Sequence, residues 1–183
     1  SPDGKWILFG RDTDGKMDLW VMKSDGTEPK QITFTDDWQE GGAQFMPDSN
    51  TILTRAWKRE DQAQRMMPMQ IFTVKRDGSE RRQITSEAGT NWAPFPAPDG
   101  KHFAFVKILT DTPRPNWEVF MMNIETGQQT RLTYHPGFDG FPSISPDGRL
   151  LAFSSGRDAK PGERKLYEYV MDISSLGIVP VRK

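Results

Sequence analysis

Few side chains in this sequence are spaced for catalysis or for metal binding. The two histidines, His102 and His135, are far apart, and neither lies in a cluster of carboxylates, so they are weak metal candidates. No Gly-x-Ser-x-Gly segment occurs, so a Ser-His-Asp triad has no support. Carboxylates are numerous, but none pair at a recognisable catalytic spacing. The sequence therefore predicts a chain that is not itself an enzyme and that binds no cofactor.

One acidic stretch superficially resembles a calcium-binding loop through Asp12, Asp14 and Asp18. Lys16 occupies the third ligand position, and no bidentate glutamate follows at the offset that an EF-hand requires. Asp-Gly between apolar runs is a strong hairpin signal. We therefore expect a plain hairpin turn here, with these three aspartates as weak metal candidates only.

Aromatic and charged side chains in the long, irregular segments are candidates for binding a partner. Interfaces are enriched in aromatic residues, Met and Arg, and functional residues concentrate on loops that a rigid scaffold holds. The partner-binding candidates are Trp38, Arg59, Trp92, Trp117, Tyr134, Phe138 and Asp139. The alternative, that the aromatic rings fill gaps between structural repeats, stays open.

The balance of charge narrows the class of partner. The chain has 24 basic and 25 acidic residues, for a net charge of -1, which argues against nucleic acid as the main partner. No apolar stretch approaches the length of a membrane span, so membrane insertion is not expected. The absence of cysteine excludes structural disulfides and thiolate metal sites. Other proteins are the expected partners.

A repeated turn organises the whole chain. Pro-Asp pairs begin 45, 51 and 48 residues apart, at Pro2, Pro47, Pro98 and Pro146. A second marker in the same phase, an aliphatic residue followed by threonine, occurs at Ile32-Thr33, Ile84-Thr85 and Leu132-Thr133. Apolar strands and tight turns fill each repeat between the two markers. A period of this length with four short strands per unit is typical of a β-propeller.

The succession Ser-Pro-Asp-Gly, apolar strand, Leu-Trp-Val-Met, Ser-Asp-Gly and Ile-Thr resembles the PD40 (WD40-like) repeats of the TolB-like family. The resemblance covers essentially the whole chain. It implies an all-β propeller of about four four-stranded antiparallel blades, as a single partial domain over residues 1–183. The predicted blades are 1–33, 42–85, 93–133 and 141–183.

The ends of the chain leave the number of blades open. The chain begins at a turn, so the first repeat lacks an inner strand, and we expect a fragment of a six- to eight-bladed ring. A closed four-bladed ring is the alternative. The apolar residues 178–181 are expected to form a strand, either the outer strand of blade four or the missing inner strand of blade one.

The resemblance also implies a function. It suggests a non-catalytic protein-interaction scaffold of the bacterial cell envelope, periplasmic or secreted, that binds other envelope proteins. One alternative is the propeller domain of a larger, prolyl-oligopeptidase-like peptidase, which a downstream α/β-hydrolase domain would reveal. The other is a carbohydrate-active propeller, which would need His135 to converge with several carboxylates.

Overall fold

The computed structural model describes residues 1–160 and 162–181, whose regular secondary structure is almost entirely β-strand. The strands form four antiparallel sheets, and each sheet corresponds to one Pro-Asp repeat. The chain divides into two compact units, Ser1–Thr90 and Asn91–Lys183. Each unit contains two of the sheets.

The strands of the N-terminal unit are β1 (Trp6–Thr13), β2 (Lys16–Lys23), β3 (Lys30–Gln31), β4 (Trp38–Phe45), β5 (Thr51–Lys58), β6 (Gln70–Lys75) and β7 (Arg82–Gln83). They form a three-stranded sheet, in the order β1-β2-β3, and a four-stranded sheet, in the order β4-β5-β6-β7. A short 3-10 helix, Arg59–Asp61, follows β5.

The C-terminal unit contains a four-stranded sheet, in the order β11-β10-β9-β8, and a three-stranded sheet, in the order β12-β13-β14. A 3-10 helix, Ser174–Leu176, follows the last strand. The strands are β8 (Asn91–Pro96), β9 (His102–Leu109), β10 (Asn116–Asn123), β11 (Gln129–Arg131), β12 (Asp139–Ile144), β13 (Leu150–Ser155) and β14 (Tyr167–Asp172).

The Pro-Asp turns are fixed by the aspartate side chain. In the third repeat, Asp99 accepts hydrogen bonds from the amides of Lys101 and His102, at 2.9 and 3.0 Å, and its second oxygen lies 2.6 Å from the His102 ring. Burial opposes ionisation of Asp99, but these hydrogen bonds outweigh burial and hold its pKa below the usual 3.8. His102 therefore has a structural role in the turn.

Each unit has its own apolar core. The second strand of a repeat is apolar at successive positions, and in β9 the side chains of Phe103, Ala104, Phe105 and Val106 are all fully buried. Such a strand is covered on both faces, which is why its pattern does not alternate. The N-terminal core contains Leu19, Val21, Ile32, Ile52 and Val74. The C-terminal core is centred on Val119, Met121, Leu151, Phe153 and Ile173.

The strand predicted at residues 178–181 is wrong. After the 3-10 helix, Gly177 has a φ of 66° and turns the chain, and Ile178 is buried in the core. The Val181 amide donates to the carbonyl of Pro98 at 2.9 Å, while Pro180 has no amide to donate to a ladder. This segment closes over turns of its own unit without forming a strand. The last two residues of the predicted fourth blade lie outside the described residues.

Candidate partner-binding site

The inner strands β4, β8 and β12 share one irregularity. In each, two consecutive residues lie opposite a single residue of the neighbouring strand, which is a β-bulge. The first bulge residue has a positive φ in every case: Gly42 (58°), Ala93 (49°) and Phe141 (53°). This conformation is easily accessible to glycine but costs a bulky residue about 1–2 kcal/mol. The fourth repeat therefore holds a phenylalanine in a strained backbone conformation.

Phe141 is part of a cluster of four aromatic side chains in the C-terminal unit. Its ring centroid lies 5.1 Å from that of Trp92, edge to face, and 5.6 Å from that of Phe138. Trp117 contacts Trp92 at 5.7 Å and Phe138 at 5.8 Å. The Phe141 ring is 53% exposed, while the other three side chains are half-buried beside it. We call Trp92, Trp117, Phe138 and Phe141 the aromatic platform.

A buried ion pair lies next to the platform in the sequence. Asp139 is fully buried, and Arg157 donates to both of its carboxylate oxygens at 3.1 and 3.2 Å. The same guanidinium donates to the Ser155 hydroxyl at 2.9 Å and lies 4.6 Å from the Tyr169 ring centroid. Removing one partner of a buried pair is expensive, so this contact fixes the start of β12. Asp139 therefore supports the platform from within the unit and does not reach the surface.

A second buried network fixes the strand that carries Trp117. The Thr133 hydroxyl donates to Glu118 at 2.5 Å and accepts the Val119 amide at 2.9 Å. Arg131 and Asn116 each donate to the other oxygen of Glu118 at 2.7 Å. Glu118 itself is fully buried. Thr133, the threonine of the aliphatic-Thr marker, therefore holds the segment after β11 against the beginning of β10.

Three of the sequence-derived candidates, Trp92, Trp117 and Phe138, are brought together in the platform. Trp92 and Trp117, expected in irregular segments, are the second residues of the regular strands β8 and β10. Phe141 was missed as a candidate because it lies inside a predicted strand. Aligning the repeats on their Pro-Asp turns would have revealed it, since Gly42 and Ala93 occupy the same register position.

The other candidates lie outside the platform. In the N-terminal unit, Trp38 begins β4 and packs edge-on against Phe72 at 5.2 Å. In the same unit, Arg59 donates to the Gly15 carbonyl at 3.2 Å. In the C-terminal unit, Tyr134 is 69% exposed, and the Arg131 guanidinium lies 4.5 Å from its ring centroid.

The acidic stretch forms the expected hairpin turn. Asp14 and Gly15 both have positive φ, 54° and 75°, as a two-residue turn between twisted strands requires. Asp12 accepts the Gly15 amide, and the buried Asp18 accepts the Thr33 hydroxyl. Across the part of the chain that the structure describes, no group of three or more His, Cys, Asp or Glu side chains is arranged to hold a metal. Over the same residues, no helix is long and apolar enough to cross a bilayer.

The platform exposes apolar surface. Its exposed part is an aromatic ring, and aromatic rings contribute large contact areas at low entropic cost. Two arginine-supported networks, at Asp139 and at Glu118, order the backbone beneath it. The arrangement therefore provides an apolar surface on strands that these buried networks hold in place.

Comparison with known proteins identifies the fold and the family. The TolB beta propeller domain, PD40, matches residues 66–181, more than half of the chain. The Tol-Pal system protein TolB of Alcanivorax borkumensis is 41% identical over 91 residues, which are 50% of this chain and 20% of that protein. The crystal structure of TolB from Acinetobacter baumannii superposes with a TM-score of 0.75 at 23% identity, over 96% of this chain and 41% of that one.

A peptidase relative is also similar. The uncharacterized peptidase YuxL of Bacillus subtilis is 29% identical over 169 residues, 85% of this chain and 21% of that protein. The chain spans a third or less of the length of the curated relatives that it matches. The sheets and these similarities confirm the all-β, propeller class predicted from the repeats. The chain belongs to the TolB-like β-propeller (PD40) family.

Proposed function

We propose that this chain is part of a non-catalytic, protein-binding scaffold of the bacterial cell envelope, periplasmic or secreted, and that the aromatic platform contacts its partner. Membership of the TolB-like family supports the scaffold. The name of the Alcanivorax relative, a Tol-Pal system protein, supports a role in an envelope assembly. The partners are other proteins of the envelope.

The observation that carries the proposal is the conformation of Phe141. Its φ of 53° is unfavourable for a phenylalanine, and its apolar ring is 53% exposed. The strained φ reduces the stability of the folded chain, whereas glycine at the same register position, as in Gly42, avoids the strain. The exposed half of the ring adds no stability by burial. Backbone strain of this kind clusters at ligand-binding sites, where binding compensates for it.

The test compares partner recovery with stability in the same variants. Phe141→Gly relieves the strained φ but also removes the ring contacts with Trp92 and Phe138, so the two effects on stability oppose each other and the net change should be within about 2 kcal/mol. Recovery of envelope proteins on the immobilised chain should fall at least about tenfold. Phe34→Gly is the matched control, because Phe34 is 74% exposed and lies outside the platform. Recovery that is unchanged in Phe141→Gly, or equally reduced in both variants, would exclude the platform as the contact surface.

A second candidate function is the propeller domain of a peptidase, which the similarity to YuxL over 85% of the chain favours. The complete reading frame distinguishes the two. An α/β-hydrolase domain with a nucleophile turn in the same polypeptide would support the peptidase and contradict the non-catalytic scaffold. A frame that encodes only propeller repeats and an envelope-targeting segment would support the scaffold.

A further inference from the structure

Arg55 occupies an unusual position on β5 of the N-terminal unit. An added Cβ on Gly42 would lie 3.5 Å from its Nε, and an added Cβ on Gly41 would lie 3.5 Å from the Trp57 ring. The Arg55 guanidinium lies 5.8 Å from the centroid of that ring. Because Gly41 and Gly42 have no side chains, the Arg55 and Trp57 side chains lie directly against the backbone of β4 at its bulge.

The other half-buried arginines have clear partners. Three of them pair with fully buried carboxylates: Arg81 with Glu40 at 2.9 Å, Arg131 with Glu118 at 2.7 Å, and Arg157 with Asp139 at 3.1 Å. Two donate to backbone carbonyls: Arg59 to Gly15 and Arg76 to Ser49. Within residues 1–160 and 162–181, Arg55 has neither kind of partner, and its Nε is buried without a hydrogen bond.

The indole of Trp57 adds a second donor of the same kind. Its Nε1 is also buried and, among the described residues, makes no hydrogen bond. Burial lowers the pKa of Arg55. A half-buried cation without a counter-charge is destabilising, and such groups are normally paired.

Nothing in the repeat requires an arginine at this position. The residues in the same register, counted from the Pro-Asp turns, are Gly10, Val106 and Ser154. Each of these residues lies on the corresponding strand of its own repeat, and none of them carries a charge. Arg55 is therefore specific to the second repeat, and its cost to the fold calls for a compensating contact.

We propose that Arg55 binds a carboxylate, a glutamate or aspartate side chain of a partner polypeptide, with Trp57 as the adjoining apolar wall. The planar guanidinium matches a planar carboxylate through two parallel hydrogen bonds. A single cation balances a singly charged carboxylate, whereas phosphate sites combine several donors or cations. The site lies in the N-terminal unit and is independent of the aromatic platform, which lies in the other unit.

Nuclear magnetic resonance of the whole ¹⁵N-labelled chain tests this site through the Nε–Hε signal of Arg55, assigned by its loss in Arg55→Lys. The probes are the capped tripeptides acetyl-Ala-Glu-Ala-amide and acetyl-Ala-Gln-Ala-amide, titrated at constant ionic strength. The glutamate peptide should shift the Arg55 signal saturably, and the glutamine peptide should bind at least about tenfold more weakly. In Arg55→Lys and Arg55→Met, the Gly41 and Gly42 amide signals should report a similar loss of affinity.

Arg76→Lys is the matched control. The Arg76 guanidinium lies 4.1 Å from the Trp6 ring centroid in the same unit, but it donates to Ser49, so this variant should bind the glutamate peptide normally. Phe141→Gly should also bind it normally, which separates this site from the platform. The proposal is overturned if the Arg55 signal shows no saturable shift, if Arg55→Lys binds as tightly as the wild type, or if inorganic phosphate binds more tightly than the glutamate peptide.

Discussion

Thr133→Val should destabilise the C-terminal unit by about 3 kcal/mol, although valine has nearly the shape of threonine. The Val119 amide loses the acceptor at 2.9 Å, and a buried donor without a partner costs about 1–3 kcal/mol. Glu118 loses the hydroxyl at 2.5 Å, and a hydrogen bond to a charged group contributes about 1.5–3 kcal/mol. Because Arg131 still pairs with Glu118, we expect the lower part of the summed range.

Thr85→Val is the internal control that separates the effect of the Glu118 charge from the loss of a threonine hydroxyl. Thr85 makes the same two contacts, accepting the Ile71 amide at 2.8 Å and donating to Gln70 at 2.7 Å, but its acceptor is a neutral amide. Its loss should cost about 2 kcal/mol. The free energies of unfolding come from urea titrations that follow tryptophan fluorescence. A Thr133→Val effect below about 1 kcal/mol, or no larger than that of Thr85→Val, would refute the assignment of Glu118 as a buried charged acceptor.

Three further predictions concern turns and buried acids. Gly148→Ala should lower the free energy of unfolding by well over the approximately 1–2 kcal/mol expected for Gly4→Ala. Both glycines have a φ above 70°, but only at Gly148 would an added Cβ lie 2.5 Å from a carbonyl oxygen, that of Ile178. Equal urea midpoints for the two variants would contradict this prediction. The pKa of Asp99 is below 3.8, so the stabilisation that its carboxylate provides is present above that pH and is lost in acid. The stability that Asp99→Asn loses relative to the wild type should therefore shrink between about pH 4 and 2. Burial raises the pKa of Glu40 above 4.5 despite the nearby Arg81. The wild type should therefore lose stability relative to Glu40→Gln as the pH rises above 4.5. A stability difference between the two proteins that does not change with pH would contradict the raised pKa of Glu40.

The repeat markers predicted the fold well because they are local. Pro fixes φ at the turn, Asp99 and its counterparts accept nearby amides, and Asp14-Gly15 makes a two-residue hairpin turn wherever it occurs between strands. The spacing of such signals gives the number and order of strands without knowledge of long-range packing. The failure at residues 178–181 has the opposite cause. An apolar run resembles a strand, but the contacts of Ile178 with the core decided its conformation.

The candidate site was only partly predictable. Composition and spacing indicated Trp92, Trp117 and Phe138, because large aromatic residues in irregular segments stand out. They did not indicate that Asp139 is buried, since its partner Arg157 is 18 residues away in an irregular segment. Positive φ at Phe141 was also hidden, because nothing in the local sequence announces a bulge. Only the register between repeats carries that information.

The side chains at the bulge differ from repeat to repeat. In the second repeat Gly41 and Gly42 leave the backbone bare, and the long side chain of Arg55 lies across it. In the fourth repeat the bulge carries Phe141, and the residue in register with Arg55 is the small Ser154.

In these two repeats, a large residue at one of the two positions is accompanied by small residues at the other. Gly140, which precedes Phe141 on β12, is also constrained, because a Cβ there would lie 2.6 Å from the Phe138 ring. The buried threonine networks recur in the first three repeats and hold the strands in place, whereas the bulge and its neighbour on the next strand differ in size and charge from repeat to repeat. Phe141 of the platform and the glycine pair beside Arg55 lie at corresponding bulges.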